Sequence, residues 1–258
     1  MKKIAIIGCG AIGSTLVKYV FRGFIKAELV ALMDIEPERC EKVRFSQKTK
    51  ICKELECLLE ERPEIVVEAA SQEAVKTLVP KVLEAGIDVI VLSVGAVLDQ
   101  SMLNEIESIT RRTKAKVYIP SGAIAGLDAI KALSLEKIER VILRTNKSFK
   151  SLGLSEKDKD ELLYEGPATE AVKLYPANVN VAATLSLAAG REAWVEIWAR
   201  KDLKMNVHEI EVESNISRLY IRVENTPHSE NPKTSYLAVL SVTRLLKQIC
   251  EGGIIIGT

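Results

Sequence analysis

The two histidines of this sequence are the side chains best suited to moving a proton near neutral pH, because the unperturbed pKa of imidazole is about 6.5. His208 lies in a strand-like segment, in phase with Ile210 and Val212. It therefore faces the apolar side of that strand, either as a catalytic group or as a hydrogen-bonded core residue. His228 lies in a loop between two prolines, where a side chain can serve catalysis or only meet solvent. Lys233 is a weaker candidate, and the residue pattern does not choose between the two histidines.

A glycine-rich turn near the start of the sequence predicts a site for a dinucleotide pyrophosphate. Residues 8–13 read Gly-Cys-Gly-Ala-Ile-Gly, follow a strand-like run and open a helical pattern. The first glycine permits a tight turn, the second lets the backbone approach the ligand, and the third lets helix and strand pack closely. The alternative is a glycine turn without a ligand. The expected cofactor contacts here are Gly8, Gly10, Ala11, Ile12 and Gly13.

Asp34 ends the second predicted strand, 21 residues after Gly13. A carboxylate at this position accepts hydrogen bonds from the ribose hydroxyls and repels a 2′-phosphate. The sequence therefore favours NAD as cofactor, while the nearby Arg39 keeps NADP open.

Two further turns follow the ends of predicted parallel strands, where ligands bind in such sheets. Ala70 and Ser71 follow one strand, and Ser93 and Val94 follow the next, so all four are expected to line the cofactor site. The alternative is that Ser71 caps the next helix and that Ser93 simply ends a strand, although capping and cofactor contact are compatible for Ser71.

Three segments in the second half of the chain supply further candidates. Ala123 lies in Gly-Ala-Ile-Ala-Gly, whose small residues permit close approach to a flat ring such as nicotinamide. Asn178 and Asn180 precede an apolar helix, where one can cap the helix and the other can bind a carboxamide or carboxylate. Lys233 and Thr234 lie at another helix start and could anchor a substrate carboxylate, or serve only as part of a cap.

The elements that must position these residues follow one pattern up to Pro120. Short, nearly continuous apolar runs alternate with helical segments, which predicts an α/β domain with a doubly wound parallel sheet. The predicted strands are Lys3–Ile7, Leu29–Met33, Ile65–Ala69, Val89–Leu92 and Val117–Ile119. The predicted helices lie near Ile12–Phe21, Pro37–Phe45, Glu54–Glu61, Glu73–Ala85 and Ser101–Arg112.

After Pro120 the strand-like runs alternate polar with apolar residues and follow one another closely, which predicts a mixed or antiparallel sheet with helices on one face. The predicted strands are Glu139–Thr145, Ala193–Arg200, Val207–Val212 and Arg218–Glu224, and the predicted helices are Leu127–Leu133, Thr169–Leu174, Val179–Ala189 and Ser235–Cys250. The polar stretch Ser155–Glu161 is expected to be an exposed loop or helix face. We expect a dinucleotide-binding domain over residues 1–121, completed by 230–258, and a smaller α/β catalytic and dimerisation domain over 122–229.

Composition narrows the class of protein. The 258 residues are 47% hydrophobic with a net charge of +1 and only 5% aromatic residues, so nucleic acid and membrane surfaces are not expected partners. The longest apolar runs are too short for a signal peptide or a membrane span. Five scattered cysteines form no disulfide framework or zinc pattern, so we expect no metal and a reducing, cytoplasmic compartment.

Several segments, taken together, resemble the L-aspartate dehydrogenase family. They are the glycine turn, Glu68-Ala69-Ala70, Ser93-Val94-Gly95-Ala96, residues 121–124, 126–129 and 175–185, Asn206-Val207-His208, and residues 231–235. The glycine turn is generic, whereas Asn-x-Asn-Val-Ala-Ala-Thr-Leu (178–185) and Asn-Pro-Lys-Thr-Ser (231–235) are specific. The resemblance extends over essentially the whole sequence.

The resemblance implies NAD(P)-dependent oxidation of L-aspartate to iminoaspartate, which hydrolyses to oxaloacetate and ammonia or feeds quinolinate formation in NAD biosynthesis. The reverse reaction is reductive amination. It also implies a Rossmann domain followed by a smaller α/β domain that carries the active site, usually in a homodimer.

The family pattern also assigns residues. The catalytic histidine falls on His208, in Asn-Val-His, and cofactor contacts fall on Ala123 and Asn180. His228 falls where relatives carry other residues, so it is expected to be a solvated loop residue. The C-terminal helix, Ser235–Cys250, is expected to return to the first domain.

Two alternatives remain. A two-domain reductase of the homoserine dehydrogenase or dihydrodipicolinate reductase type would share the glycine turn but lack the two specific segments. A non-catalytic NAD-binding regulator would bind the cofactor without turning over any amino acid.

Overall fold

In a computed structural model, which describes residues 1–176, 180–229 and 231–256, the chain divides into two units at Pro120. Unit 1 consists of Met1–Pro120 and Val242–Ile255, and unit 2 includes Ser121–Ser241. The expected first domain included residues 230–258, but the part of this range before Val242 lies in unit 2. The reason is local: Pro227 pairs with Ser235 in a β-bridge, and Asn206 Nδ2 donates to the Ser235 hydroxyl.

The sheet of unit 1 has, within the described residues, six strands in the order β3-β2-β1-β4-β5-β6, all parallel. The strands are β1 (Lys2–Ile7), β2 (Ala27–Met33), β3 (Lys50–Cys52), β4 (Ile65–Glu68), β5 (Asp88–Val91) and β6 (Val117–Tyr118). This is the doubly wound order in which the chain reverses direction beside β1, so the predicted fold class is confirmed. The short β3 is the strand that the apolar runs did not reveal.

Helices connect these strands and join one hydrophobic core. They are α1 (Ala11–Phe21), α2 (Pro37–Val43), α3 (Leu55–Glu60), α4 (Gln72–Glu84) and α5 (Gln100–Thr113), with a 3₁₀ turn at Val94–Leu98. Leu16 of α1 packs with Ile4 and Ile6 of β1. Val242 and Leu246, from the last helix α10 (Tyr236–Glu251), complete the same core, so the C-terminal helix does return to the first unit.

The cysteines of unit 1 differ from the expectation for a fully reduced chain. Cys52 and Cys57 form a disulfide, because the end of β3 and the start of α3 bring their Cα atoms to 5.6 Å. Cys9 and Cys40 are buried free thiols with their sulfur atoms 3.0 Å apart. The hydrogen bond with Cys40, together with burial, raises the pKa of Cys9.

The sheet of unit 2 is mixed, as predicted, with the order β11-β10-β7-β9-β8 in the described residues. The strands are β7 (Ile138–Ser148), β8 (Glu161–Pro167), β9 (Trp194–Arg200), β10 (Asn206–Ser214) and β11 (Arg218–Asn225). Within the described residues, β7 and β9 are parallel and the other neighbouring strands of this sheet are antiparallel. The helices are α6 (Leu127–Leu133), α7 (Phe149–Leu152), α8 (Ala168–Leu174) and α9 (Asn180–Ala189). The prediction missed β8, an edge strand whose residues are mostly half-buried and which therefore lacks clear alternation.

The two faces of this sheet differ in character. The inner face is apolar along most of its length, with Leu143, Ile197 and Ile210 fully buried. The outer face carries ion pairs: Arg144 contacts Glu196 at 3.0 Å and Glu211 at 2.6 Å across neighbouring strands. No helix in the described residues has the length and apolar run that a bilayer span needs.

Candidate functional site

The glycine turn between β1 and α1 has the geometry that a pyrophosphate requires. Gly8 adopts a φ of +95°, which side chains disfavour, and a Cβ at Gly13 would overlap the Gly8 carbonyl. A Cβ at Gly10, in contrast, would meet nothing within 4 Å, so there is open space in front of the backbone. Gly10 also begins α1 without a side-chain cap, so the first N–H groups of the helix have no side-chain acceptor there. These features fit the phosphates of a dinucleotide.

Asp34 is held at the edge of this turn by backbone donors. The Cys9 N–H donates to Asp34 Oδ2 at 2.7 Å, and the Glu36 N–H donates to Oδ1 at 2.9 Å. The carboxylate is 8% exposed and therefore fixed in place, yet each oxygen can accept a second hydrogen bond. Arg39, which kept NADP open, is engaged with Glu36 through bonds of 3.0 and 2.6 Å.

Glu68, at the end of β4, is a positioning residue that the sequence did not single out. Its buried carboxylate accepts hydrogen bonds from the backbone N–H groups of Ala70, Ser71, Leu92 and Ser93, at 2.8–3.2 Å, and from the Ser93 hydroxyl at 2.8 Å. Burial raises the pKa of Glu68, while these donors oppose the shift. One side chain thus ties together the two turns that carry the predicted contacts.

The predicted residues of these turns also have structural roles. The Ser71 hydroxyl caps α4 by accepting from the Ala74 N–H at 3.1 Å, as its alternative assignment proposed, and Ala70 beside it is exposed. Ser93 donates to Glu68, and Val94 is buried at the start of the 3₁₀ turn. Contact with a cofactor remains a prediction for all four.

His208 lies on the inner face of the unit 2 sheet, as its phase with the apolar residues predicts. It is 1% exposed and pairs with Thr145 of β7, whose hydroxyl oxygen is 3.1 Å from Nδ1. Burial, together with the positive charge of Lys147, lowers the pKa of His208 to about 3. The imidazole is therefore neutral at physiological pH. If Nδ1–H donates to Thr145, the lone pair of Nε2 can accept a proton.

Lys147, two residues beyond Thr145 on β7, is a second buried titratable group beside His208. It is 3% exposed, and its Nζ donates to the Lys233 carbonyl at 2.9 Å. Burial, together with the charge of Lys233, lowers the pKa of Lys147 to about 8. The predicted strand ended at Thr145, so Lys147 was missed; a lysine in phase with apolar residues was the available signal.

Ala123, in the small-residue segment, is held in place through its backbone carbonyl. Asn225 Nδ2 donates to that carbonyl at 2.9 Å, and Ala123 is 6% exposed. Gly122 has a φ of +65° and donates its N–H to the Ser241 hydroxyl. Asn180 begins α9 and is half-buried, whereas Asn178 lies outside the described residues.

The prediction that His228 is a solvated loop residue is wrong. It is 4% exposed, because the bridge that joins Pro227 to Ser235 closes the loop and the Tyr236 ring packs 5.8 Å from the imidazole. Its backbone N–H donates to the carbonyl of Thr234 at 2.8 Å. In this loop Lys233 is exposed and Thr234 is half-buried.

The structure thus gathers the predicted residues into local groups. In unit 1, the Cys9 N–H links the glycine turn to Asp34, and Glu68 links the two following turns. In unit 2, His208 lies with Lys147, whose ammonium reaches the backbone of Lys233.

Comparison with known proteins identifies the family of this chain. Residues 128–249 match the family model described as the C-terminal region of aspartate dehydrogenase, and residues 8–120 match the NAD-binding domain of homoserine dehydrogenase. The chain is 44% identical to an L-aspartate dehydrogenase of Methanosarcina barkeri, over 96% of this chain and 97% of the relative. It is 41% identical to that of Methanocaldococcus jannaschii, over 97% and 98%. The chain belongs to the aspartate dehydrogenase family.

A solved member of the aspartate dehydrogenase family shares the fold along the whole chain. The crystal structure of the enzyme from Thermotoga maritima superposes with a TM-score of 0.79 at 29% identity and covers 100% of both chains. The homoserine dehydrogenase likeness concerns the generic NAD-binding half, whereas the half that contains His208 matches aspartate dehydrogenase. The reductase alternative is therefore not favoured.

Proposed function

We propose that this chain catalyses the NAD(P)-dependent oxidative deamination of L-aspartate to iminoaspartate, which hydrolyses to oxaloacetate and ammonia. The observation that carries the proposal is His208, a buried and neutral imidazole held by Thr145 in the part of the chain that matches aspartate dehydrogenase. Relatives covering nearly the full chain at 39–44% identity bear the same enzyme name.

In this reaction His208 acts as the general base. Its Nε2 lone pair takes a proton from the substrate ammonium, or from the water that attacks the imine. Thr145 holds the ring by its Nδ1 side and so fixes the direction of that lone pair. A nicotinamide cofactor, when bound, would supply the acceptor for the hydride of the substrate α-carbon.

We propose that unit 1 prefers NAD to NADP. Gly8, Gly10, Ala11, Ile12 and Gly13 would hold the pyrophosphate, and Ala70, Ser71, Ser93 and Val94 would line the same site. The fixed carboxylate of Asp34 would accept from the ribose hydroxyls and repel a 2′-phosphate. The ion pair with Glu36 supports this preference, because it partly neutralises Arg39.

Unit 2 would supply the remaining contacts. Ala123 and Asn180 are proposed to hold the nicotinamide, and Asn178, Lys233 and Thr234 are proposed substrate contacts. From the family resemblance we also propose a cytoplasmic homodimer that serves NAD biosynthesis.

Turnover by the wild type and by two histidine variants tests the proposed function. The purified protein should produce NADH, seen by absorbance, from L-aspartate but not from homoserine. His208→Ala should lower kcat by ~10²–10⁴ while the protein stays folded. The matched control is His228→Ala. If the control is the inactive variant and His208→Ala turns over normally, the assignment of the base is reversed. If the protein binds NAD tightly but oxidises no amino acid, it is a regulator.

A further inference from the structure

The inner face of the unit 2 sheet changes from apolar to polar towards the end of β7 and the start of β10, where His208 lies. On β10, Asn206 and His208 share this face, since they are two residues apart. On β7, Thr145 and Lys147 share it for the same reason. His208 pairs with Thr145 and Val207 with Asn146, and continuing this register by one residue sets Asn206 across from Lys147. All four side chains are nine-tenths or more buried.

Asn206 supplies an acceptor that the protein itself does not use. Its Nδ2 donates to the Ser235 hydroxyl at 3.2 Å, which fixes the amide. Its Oδ1 is the single buried side-chain nitrogen or oxygen without a hydrogen-bond partner among the described residues. A buried acceptor without a donor is costly, so this oxygen indicates a ligand that brings an N–H or O–H group.

Lys147 supplies a buried positive charge beside that acceptor. The Lys233 carbonyl fixes the ammonium at 2.9 Å, and a pKa of about 8 keeps it mostly protonated at neutral pH. Both burial and the charge of Lys233 disfavour this protonated form. A carboxylate ligand would reverse that penalty, because it offers opposite charge and strong acceptors at short range.

We propose that Lys147 and Asn206 form the substrate subsite beside His208, in which Lys147 binds a carboxylate of the amino acid and Asn206 Oδ1 accepts a hydrogen bond from its ammonium. The inference rests on the proposed function, since that function identifies the ligand as a dicarboxylic amino acid. The arrangement matches an amino acid in kind: an acceptor for the ammonium, a cation for a carboxylate, and a base beside both.

The subsite also links binding to the basicity of His208. The charge of Lys147 is one of the two causes that lower the pKa of His208. A substrate carboxylate on Lys147 offsets that charge and makes His208 a stronger base once the substrate is bound. A monocarboxylate that does not reach Lys147 would bind without this gain.

The first test measures binding and turnover in Lys147→Met. We expect the KM for L-aspartate to rise about 10–100-fold, as for loss of a hydrogen bond to a charged group, with the KM for NAD unchanged. Binding of succinate, measured by calorimetry with NAD present, should be lost in parallel. Lys147→Arg should restore part of both. Lys150→Met, an exposed lysine of α7, is the matched control and should behave as wild type.

The second test separates Asn206 from a structural role. Asn206→Leu removes the unpaired acceptor at similar volume, so the melting temperature should hold or rise while the KM for L-aspartate increases about 10-fold. Asn206→Asp keeps an acceptor but sets a carboxylate beside Lys147, so it should not restore the wild-type KM, because it competes with the substrate carboxylate for that ammonium. An unchanged KM in Asn206→Leu would mean that the oxygen binds only water and would overturn this half of the subsite.

The outcomes distinguish the subsite from the proposed function. If Lys147→Met oxidises aspartate at the wild-type rate, with unchanged KM and unchanged succinate binding, the subsite alone is overturned. Succinate binding that depends on Lys147 without any NADH production overturns the proposed function and supports the subsite. Absence of both binding and turnover in the wild type, with NAD binding intact, overturns both.

Discussion

Glu68→Gln is the substitution that best tests how the cofactor turns are positioned. Glutamine keeps one oxygen, which can retain the donors on Oε1, namely Ala70, Ser71 and the Ser93 hydroxyl. Its amide nitrogen would then face the N–H groups of Leu92 and Ser93, which donate to Oε2 in the wild type. A donor would meet two donors.

The cost follows from which N–H group loses its acceptor. The Leu92 N–H also reaches the Glu68 backbone carbonyl at 3.1 Å, so only the Ser93 N–H is orphaned. A buried unpaired N–H costs about 1–3 kcal/mol, and exchanging a charged acceptor for a neutral one weakens the remaining bonds. A neutral amide does not pay the desolvation penalty of a buried carboxylate, which raises the pKa of Glu68, and this offsets part of the loss. We expect a net loss of about 1–3 kcal/mol.

The assay is a thermal melt with and without NAD, together with the KM for each substrate. The melting temperature should fall by about 2–12 °C, given roughly 2–4 °C per kcal/mol for a chain of this length. The KM for NAD should rise several-fold, whereas the KM for aspartate at saturating NAD should stay constant. Glu64→Gln is the control: this carboxylate precedes the same strand, and its pair with Lys2 at 2.9 Å is half-exposed, so it is worth at most about 1 kcal/mol. A Glu68→Gln protein with wild-type melting and wild-type KM for NAD would refute the reasoning.

Three further predictions concern the pH dependence of stability, the cofactor preference and the glycine turn. The pKa of His208 is about 3 in the folded chain and about 6.5 when unfolded, so stability should fall as pH drops through that window, by up to about 1.4 kcal/mol per pH unit. His208→Gln should flatten this slope in pH-dependent melts, and an equal slope in both proteins would contradict the burial argument. Asp34→Ser should narrow the ratio of kcat/KM for NAD over NADP, and an unchanged ratio would remove Asp34 from cofactor selection. Gly10→Ala should leave the melting temperature unchanged but weaken NAD binding, because its Cβ meets only the open space in front of the turn. Gly13→Ala should lower the melting temperature instead, and the reverse order would show that the open space is not the phosphate site.

The sequence was most informative where a single element determines the outcome. Strand phase placed His208 on the buried face, and the spacing from Gly13 singled out Asp34, which directly follows β2. Glu68 was missed because its partners Leu92 and Ser93 belong to another strand end, and nothing in the spacing reveals that one carboxylate serves both turns.

The misses in unit 2 have the same origin. The burial of His228 depends on a β-bridge and on the Tyr236 ring, neither of which a proline-flanked loop predicts. Lys147 gains its environment from β10 and from the Lys233 carbonyl, so its role becomes visible only when the strands are paired.

The polar end of the inner face has a consequence for how unit 2 folds. On the outer face of β10, Glu209, Glu211 and Glu213 repeat every second residue, so the two-residue slip that replaces Glu209 by Glu211 opposite Arg144 would still set a glutamate there. Ion pairs therefore do not distinguish the correct alignment from that slipped one. The inner face does, because a two-residue slip would set His208 opposite either Leu143 or Lys147 instead of Thr145. The residues proposed to act on substrate thus also specify the register of β10 against β7. Apolar replacements there would allow the two strands to pair in more than one register.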